Sequence, residues 1–313
     1  MTRGRAYLIA GLVALLVIAA AALVFATGSP AAKPAAQQKT LVVLGAENEY
    51  ANVLAQVGGR YVRAIGIMSN PSTDPHTYEA STTNAREVAQ ASLVVQNGLG
   101  YDSFMQKLEA NAPSTRRIIL TVASIVGAPP STENPHLWYR PSTMPAVAQS
   151  VAKALSQLEP QHKSYFARRA AAFDRSLGPW RQALAKLRQD FHGAKVVVTE
   201  PVADYLLQAA GLDVATPWSF QAAVMNGQDP SPQDVSTVDS LISTRQAKVL
   251  VYNLQAVEPT TESLLAIAKA HQVPVVGVNE TMPAGFDYQH WMLAETQALT
   301  AAIGQHKSEV HLK

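Results

Sequence analysis

From Leu41 onward, short apolar runs rich in β-branched residues alternate with segments whose apolar positions recur every three or four residues. Runs of the first kind suit strands buried in a sheet. Segments of the second kind suit helices packed on it, and the alternation predicts α/β layers. Strands are expected at Leu41 to Gly45, Tyr61 to Ile67, Leu93 to Gln96 and Ile118 to Val122, with helices around Tyr50 to Val57, Ala85 to Ala91 and Ser103 to Ala110. A second set of runs, Lys195 to Thr199, Lys248 to Asn253 and Pro274 to Val278, alternates with helical stretches at Val202 to Ala210, Ser231 to Ser243 and Thr260 to Ala270. Two Rossmann-like α/β lobes, 41–143 and 192–313, are the economical reading.

Between them, 144–191 has almost no strand character. Phe166, Ala170, Phe173, Leu177, Trp180, Leu184, Leu187 and Phe191 recur there at alternating spacings of four and three, one apolar helix stripe. A coiled-coil partner would explain the stripe, but Gly178-Pro179 interrupts it and opposed charge patterning is weak. A long rigid helix, kinked near Pro179 and packed across both lobes, is the expected connector, and it would limit how far they close. At the N-terminus, residues 6–26 are apolar throughout and follow Arg3 and Arg5, the layout of a secretory signal or signal anchor. Their length approaches the roughly 20 residues that span a bilayer, which favours an uncleaved anchor, while Val24-Phe25-Ala26 offers a cleavage site. Residues 27–40, rich in Ala, Pro, Gly and small polar residues, read as a linker. The folded part is therefore expected on the periplasmic or extracytoplasmic face of the cytoplasmic membrane, with membrane association through the N-terminus.

Composition narrows the chemistry. With 48% apolar residues, 15% charged residues and a net charge of +2, nothing marks a disordered chain or a basic face for nucleic acid. The absence of cysteine removes disulfides, thiolate metal sites, cysteine nucleophiles and a lipid carried on an N-terminal cysteine. No G-x-S-x-G, P-loop, dinucleotide fingerprint or H-E-x-x-H motif is present.

Two histidine contexts repeat: Asp74-Pro75-His76-Thr77-Tyr78-Glu79 and Asn134-Pro135-His136-Leu137-Trp138-Tyr139. With 19 Pro and 8 His, about 0.5 Pro-His pairs would arise by chance, so two with matching flanks carry information. Proline fixes the backbone before each imidazole, as a ligand requires; a turn histidine bonded to backbone is the alternative for either alone. His162, His192, His271, His290, His306 and His311 lie on helices or near the C-terminus without a partner at ligand spacing and read as solvated or structural. Glu200 directly follows the run KVVVT, and Glu280 follows PVVGVN. In open α/β sheets the carboxyl ends of strands face the ligand crevice, so both carboxylates are expected there. The alternatives are a helix N-terminal acid for Glu200 and a solvated loop acid for Glu280.

These residues resemble the metal-binding proteins of zinc and manganese ABC importers, the cluster A-I solute-binding family. The resemblance covers nearly all the chain from Leu41 and rests on an ordered set of motifs. After the Asp74 motif comes Asn97-Gly98-Leu99-Gly100-Tyr101-Asp102, then the Asn134 motif, Glu200-Pro201 with Tyr205 and Gly211-Leu212, Asp229-Pro230-Ser231-Pro232, and Glu280. It implies two α/β lobes joined by one long helix, with a metal between them held by His76, His136, Glu200 and Glu280. Glu200 stands where zinc binders usually carry a third histidine and manganese binders glutamate. Glu280 stands where most members carry aspartate, one methylene shorter, which leaves its denticity open. The histidine- and acid-rich loop of the zinc members is missing.

Two imidazoles and two carboxylates make a charge-neutral site for a divalent ion and are harder than a three-histidine set, which favours Mn²⁺, then Zn²⁺, with Fe²⁺ admitted. The implied partners are the metal as cargo and an ABC permease with a separate ATPase. No catalysis and no oligomer are required, so a monomeric binding protein that is not an enzyme is expected. An exported metal-dependent hydrolase using the same ligands, or an anchored surface interaction module, are the rival readings.

Overall fold

The computed structural model describes residues 40–70 and 78–312, so the expected anchor, the linker up to residue 39, and residues 71–77, His76 among them, lie outside the described residues. Within the unit that begins at Thr40, the first lobe runs β1 (Leu41–Glu47), α1 (Asn48–Gly58), β2 (Val62–Met68), α2 (Thr82–Gln90), β3 (Leu93–Gln96), α3 (Ser103–Asn111), β4 (Ile118–Thr121) and the single turn α4 (Val122–Ile125). Its strands are parallel, in the order β2-β1-β3-β4. Local chemistry sets the boundaries: Ser81 caps α2, its hydroxyl accepting from the Asn84 amide while the Asn84 side chain accepts from the Ser81 amide.

The connector is α5 (Thr143–Leu158), α6 (Lys163–Ser176) and α7 (Gly178–Phe191). Pro160 opens a 3-10 turn, Pro160–His162, that separates α5 from α6. The expected stripe runs through α6 and α7, which break at Leu177, and Pro179 sits in the first turn of α7, where its missing amide hydrogen costs nothing. From Phe166 to Leu187 every stripe residue is buried. The long helix is therefore a kinked pair, and the earlier part of the segment forms a separate helix packed on α6.

The second lobe repeats the first: β5 (Lys195–Val198), α8 (Asp204–Ala209), β6 (Asp213–Val214), α9 (Trp218–Met225), α10 (Pro232–Ser243), β7 (Leu250–Asn253), α11 (Pro259–Ala270), β8 (Val275–Val278) and α12 (Tyr288–Gln305). Its parallel order, β6-β5-β7-β8, places the first strand of each lobe between the second and third. Successive strand residues serve opposite faces: Val196 and Val198 join the large core that continues through the connector into the first lobe, whereas Val197 joins a smaller core with Phe220, Ile242 and Leu264. α6 packs on α1 and α7 on α12, so the connector touches both lobes. Beyond α12 the tail returns along the free edge of β8, where Gly277 donates to the Glu309 carbonyl at 3.0 Å and Glu309 donates to Val275 at 2.9 Å. A Cβ on Gly277 would meet the Val310 carbonyl oxygen at 1.9 Å, so only glycine admits the tail.

Trp180 anchors the connector: it is 1% exposed and its indole N–H donates to Thr296 Oγ1 of α12 at 3.0 Å. Trp180→Ala is expected to lower folding stability by about 3–5 kcal/mol, read as a reduced urea midpoint of the metal-free chain.

Candidate metal centre

In both sheets the strand order reverses between the first and third strands, the place where open α/β sheets form a crevice at the strand carboxyl ends. The candidate acids lie there. Glu200 comes two residues after β5, Asn253 ends β7, and Glu280 comes two residues after β8. All three are buried.

His136 enters from the first lobe, immediately before the 3-10 turn Leu137–Tyr139. Its Nδ1 faces Asn134 Oδ1 at 2.8 Å, and the same oxygen accepts from the His136 amide at 3.0 Å. An Nδ1–H donated to Asn134 puts the lone pair on Nε2, the tautomer a metal ligand needs. Asn134 is itself tied to the second lobe, since its Nδ2 donates to the Pro201 carbonyl at 2.7 Å and its own carbonyl accepts from Tyr205 at 2.9 Å. Tyr101 and Trp138 flank the imidazole with ring centroids at 5.7 and 5.3 Å.

His136 Nε2 lies 3.3 Å from Glu280 Oε2, which also accepts from the Tyr101 hydroxyl at 3.1 Å. Asn253 Nδ2 joins the two acids, donating to Glu280 Oε1 at 2.8 Å and to Glu200 Oε2 at 3.1 Å. Gln255 Oε1 accepts from the Glu280 amide at 2.6 Å. Tyr101 is presented by a turn in which Gly98, Leu99 and Gly100 all take positive φ, closed by the Asp102 carboxylate accepting the Asn97 and Gly98 amides. Among the described residues, His136, Glu200 and Glu280 converge, although no group of three His, Asp or Glu side chains there is tight enough to hold an ion alone. His76, the fourth expected ligand, lies outside the described residues.

A family model for the periplasmic zinc-uptake complex component A, ZnuA, matches residues 43–302. The chain belongs to the ZnuA family. Over 223 residues it is 24% identical to the manganese ABC transporter substrate-binding lipoprotein PsaA of Streptococcus pneumoniae, covering 67% of this chain and 70% of that one. Over 199 residues it is 22% identical to the iron-binding protein YfeA of Yersinia pestis, covering 60% of this chain and 62% of that protein, less than two thirds of its length. The periplasmic zinc-binding protein TroA of Treponema pallidum has the same fold, with a TM-score of 0.71 and 20% identity over 86% of this chain and 99% of that one.

In the same crevice, the acids reasoned from sequence are only part of the buried charge. Glu47, which ends β1, and Glu49, in the first turn of α1, are fully buried. Burial, then Asp102 and Glu49, push Glu47 well above the usual carboxylate range. Burial raises Glu49 to about 8, offset by backbone amides of Glu49 and Met282, with Glu280 raising it further. Burial also lifts Asp102 to about 6 against the pull of the Gly98 and Asn97 amides. The strand-end rule that singled out Glu200 and Glu280 applies equally to Glu47 after the run LVVLGA, and to Asn253.

The sign of the pH effect follows. Glu49 near 8, Asp204 near 7 and Asp102 near 6 hold protons in the folded chain that unfolded carboxylates have already lost, so the stability they contribute is present at low pH and lost as pH rises through those values. After treatment with chelator, the thermal midpoint is expected to rise between pH 8.5 and pH 6, by about 2–4 °C for each kcal/mol regained. A flat or inverted profile in scanning calorimetry would contradict these buried acids.

Proposed function

We propose that the chain captures a divalent transition metal outside the cytoplasmic membrane and delivers it to an ABC permease driven by a separate ATPase. His76 and His136 from the first lobe and Glu200 and Glu280 from the second are the proposed ligands. The observation that carries this reading is the approach of His136 Nε2 to Glu280 Oε2, an imidazole and a carboxylate brought together from opposite lobes. Neutral imidazole and ionised carboxylate donors suit a borderline divalent cation, and two carboxylates balance its charge. Mn²⁺ is the favoured cargo, Zn²⁺ the next and Fe²⁺ the third, in line with relatives named for manganese and iron and a family named for zinc.

The role is binding rather than catalysis, performed as a monomer. The apolar segment 6–26 would serve as membrane anchor and 27–40 as tether, since no cysteine exists to carry the lipid that the name of the Streptococcus relative denotes. Ligands drawn from both lobes let the ion itself fasten them, so loading stabilises the folded chain by about 2.7 kcal/mol at a free concentration 100 times Kd.

Calorimetric titration of the chelator-stripped full chain in detergent with Mn²⁺ and Zn²⁺ tests this directly. One ion per chain is expected, weakening on acidification because the imidazoles must be neutral to coordinate. His136→Ala and Glu280→Ala should each weaken binding by about 100-fold or more. Absence of saturable binding of either ion would overturn the reading, and unchanged affinity in both variants would overturn the ligand assignment.

A further inference from the structure

Glu295 lies inside α12, fully buried, and its Oε1 meets the Trp291 indole and the Tyr139 hydroxyl, while its Oε2 has no hydrogen-bond partner among the described residues. The Tyr139 hydroxyl makes two contacts, 2.8 Å to the Asn279 carbonyl oxygen and 3.0 Å to Glu295 Oε1. A phenol has one proton to give, and a backbone carbonyl can only accept. Given to the nearer acceptor, that proton goes to Asn279, and the Tyr139–Glu295 contact is then a hydrogen bond if the carboxyl donates, its proton on Glu295 Oε1. The Trp291 indole N–H points at the same oxygen from 2.7 Å, filling a lone pair that a carboxylic acid hydroxyl still offers.

That hydroxyl sits where the site is held together. Tyr139 follows His136 by three residues, at the end of the same 3-10 turn. The Asn279 carbonyl belongs to the peptide group whose N–H is that of Glu280, and this N–H donates to Gln255 Oε1 at 2.6 Å. One peptide plane is thus clamped on both edges, by Gln255 on its N–H and by Tyr139 on its carbonyl. We propose that Glu295, as the neutral acid, is a positioning residue for metal capture: it supplies the proton that frees Tyr139 to hold the Asn279–Glu280 peptide against the His136 turn. The inference deepens the metal-binding reading above and rests on it.

The surroundings of Glu295 favour the neutral acid. No cation is among the groups that set its titration: burial raises it to about 8, and the Trp291 indole, the Tyr139 hydroxyl and the Asn279 amide lower it. Tyr288 is within electrostatic reach of both Glu295 and Glu49, and Tyr139 likewise senses Glu49. As pH rises through about 8 the carboxylate draws the phenolic proton to itself, a charge-assisted bond stronger than the neutral one, and the Asn279 carbonyl loses its donor.

Glu295→Gln separates this role from packing. An amide oxygen at the Oε1 position accepts from both Trp291 and Tyr139 but cannot donate, so the variant reproduces the hydrogen bonding of the ionised form without its charge. Mn²⁺ affinity is measured anaerobically by calorimetry on the full chain in detergent, at pH 7 and pH 9, for both proteins. The wild type is expected to bind about tenfold more tightly than Glu295→Gln at pH 7, with the ratio falling towards one at pH 9. A ratio near one at pH 7, or one that does not change with pH, overturns the proposal. Tyr139→Phe decides the matter if the amide variant does not fold: it should bind weakly at pH 7, with the wild type converging on it at pH 9. Failure of the wild type to bind any Mn²⁺ or Zn²⁺ at pH 7 removes the metal reading itself and the proposal with it.

Discussion

Carboxyl groups buried at and behind the strand ends are the constraint on which the centre of this molecule depends. Glu47, Glu49, Glu200, Glu280 and Glu295 are all excluded from water, and the groups that set the titration of Glu49 and Glu295 are amides, tyrosines, an indole and other acids. An ionised carboxylate is costly there unless something positive joins it. Protons can fill that need, and a divalent cation can fill it better, because one ion neutralises two acids and takes their lone pairs as well. The preference for a metal therefore comes from the field of the whole cluster as much as from the donors that touch the ion.

The scaffold makes this burial affordable by tying the two sheets together with neutral contacts. Asn134 reaches Pro201, Asn48 reaches Met282 with both its carbonyl and amide ends, and Tyr288 donates to the Trp138 carbonyl at 2.6 Å. Arg140 adds a cationic contact, lying 4.6 Å over the Tyr205 ring. These links are made by protein groups alone. Together with α6 on α1 and α7 on α12, they leave little freedom for wide hinge closure. Loading is then an adjustment of side chains within a preformed frame.

Much of this frame was legible in the chain itself because it rests on local periodicity. The four-three stripe from Phe166 to Leu187 and its interruption at Gly178-Pro179 are visible without any tertiary information, and both appear as expected in α6 and α7. β6, with two residues, is too short to carry a pattern. α12 is buried on several sides, with Trp291, Met292, Glu295, Thr296, Ala298 and Leu299 all inaccessible, so no single face stands out. The centre divides in the same way. His136, Glu200 and Glu280 announce themselves by residue type and by position beside proline or a strand end. Asn253 and Gln255 are neutral amides that look like any loop residue, and Glu295 looks like an ordinary helix-surface acid. Their roles arise only when residues tens or hundreds of positions away fold against them, as Tyr139 does on Glu295.

The tail that crosses β8 bears on a different part of the protein's life. β8 is the last strand of its sheet, and a bare strand edge is a template on which another chain can add itself. By pairing Ser308 and Glu309 with Val275 and Gly277, the segment after α12 closes that edge, and the missing side chain of Gly277 lets it come close enough. The residues that follow α12 thus act as a guard on the second sheet rather than as part of its core. Without this cover the second sheet would offer an open edge to another chain, so the segment after α12 bears on resistance to aggregation as well as on the fold.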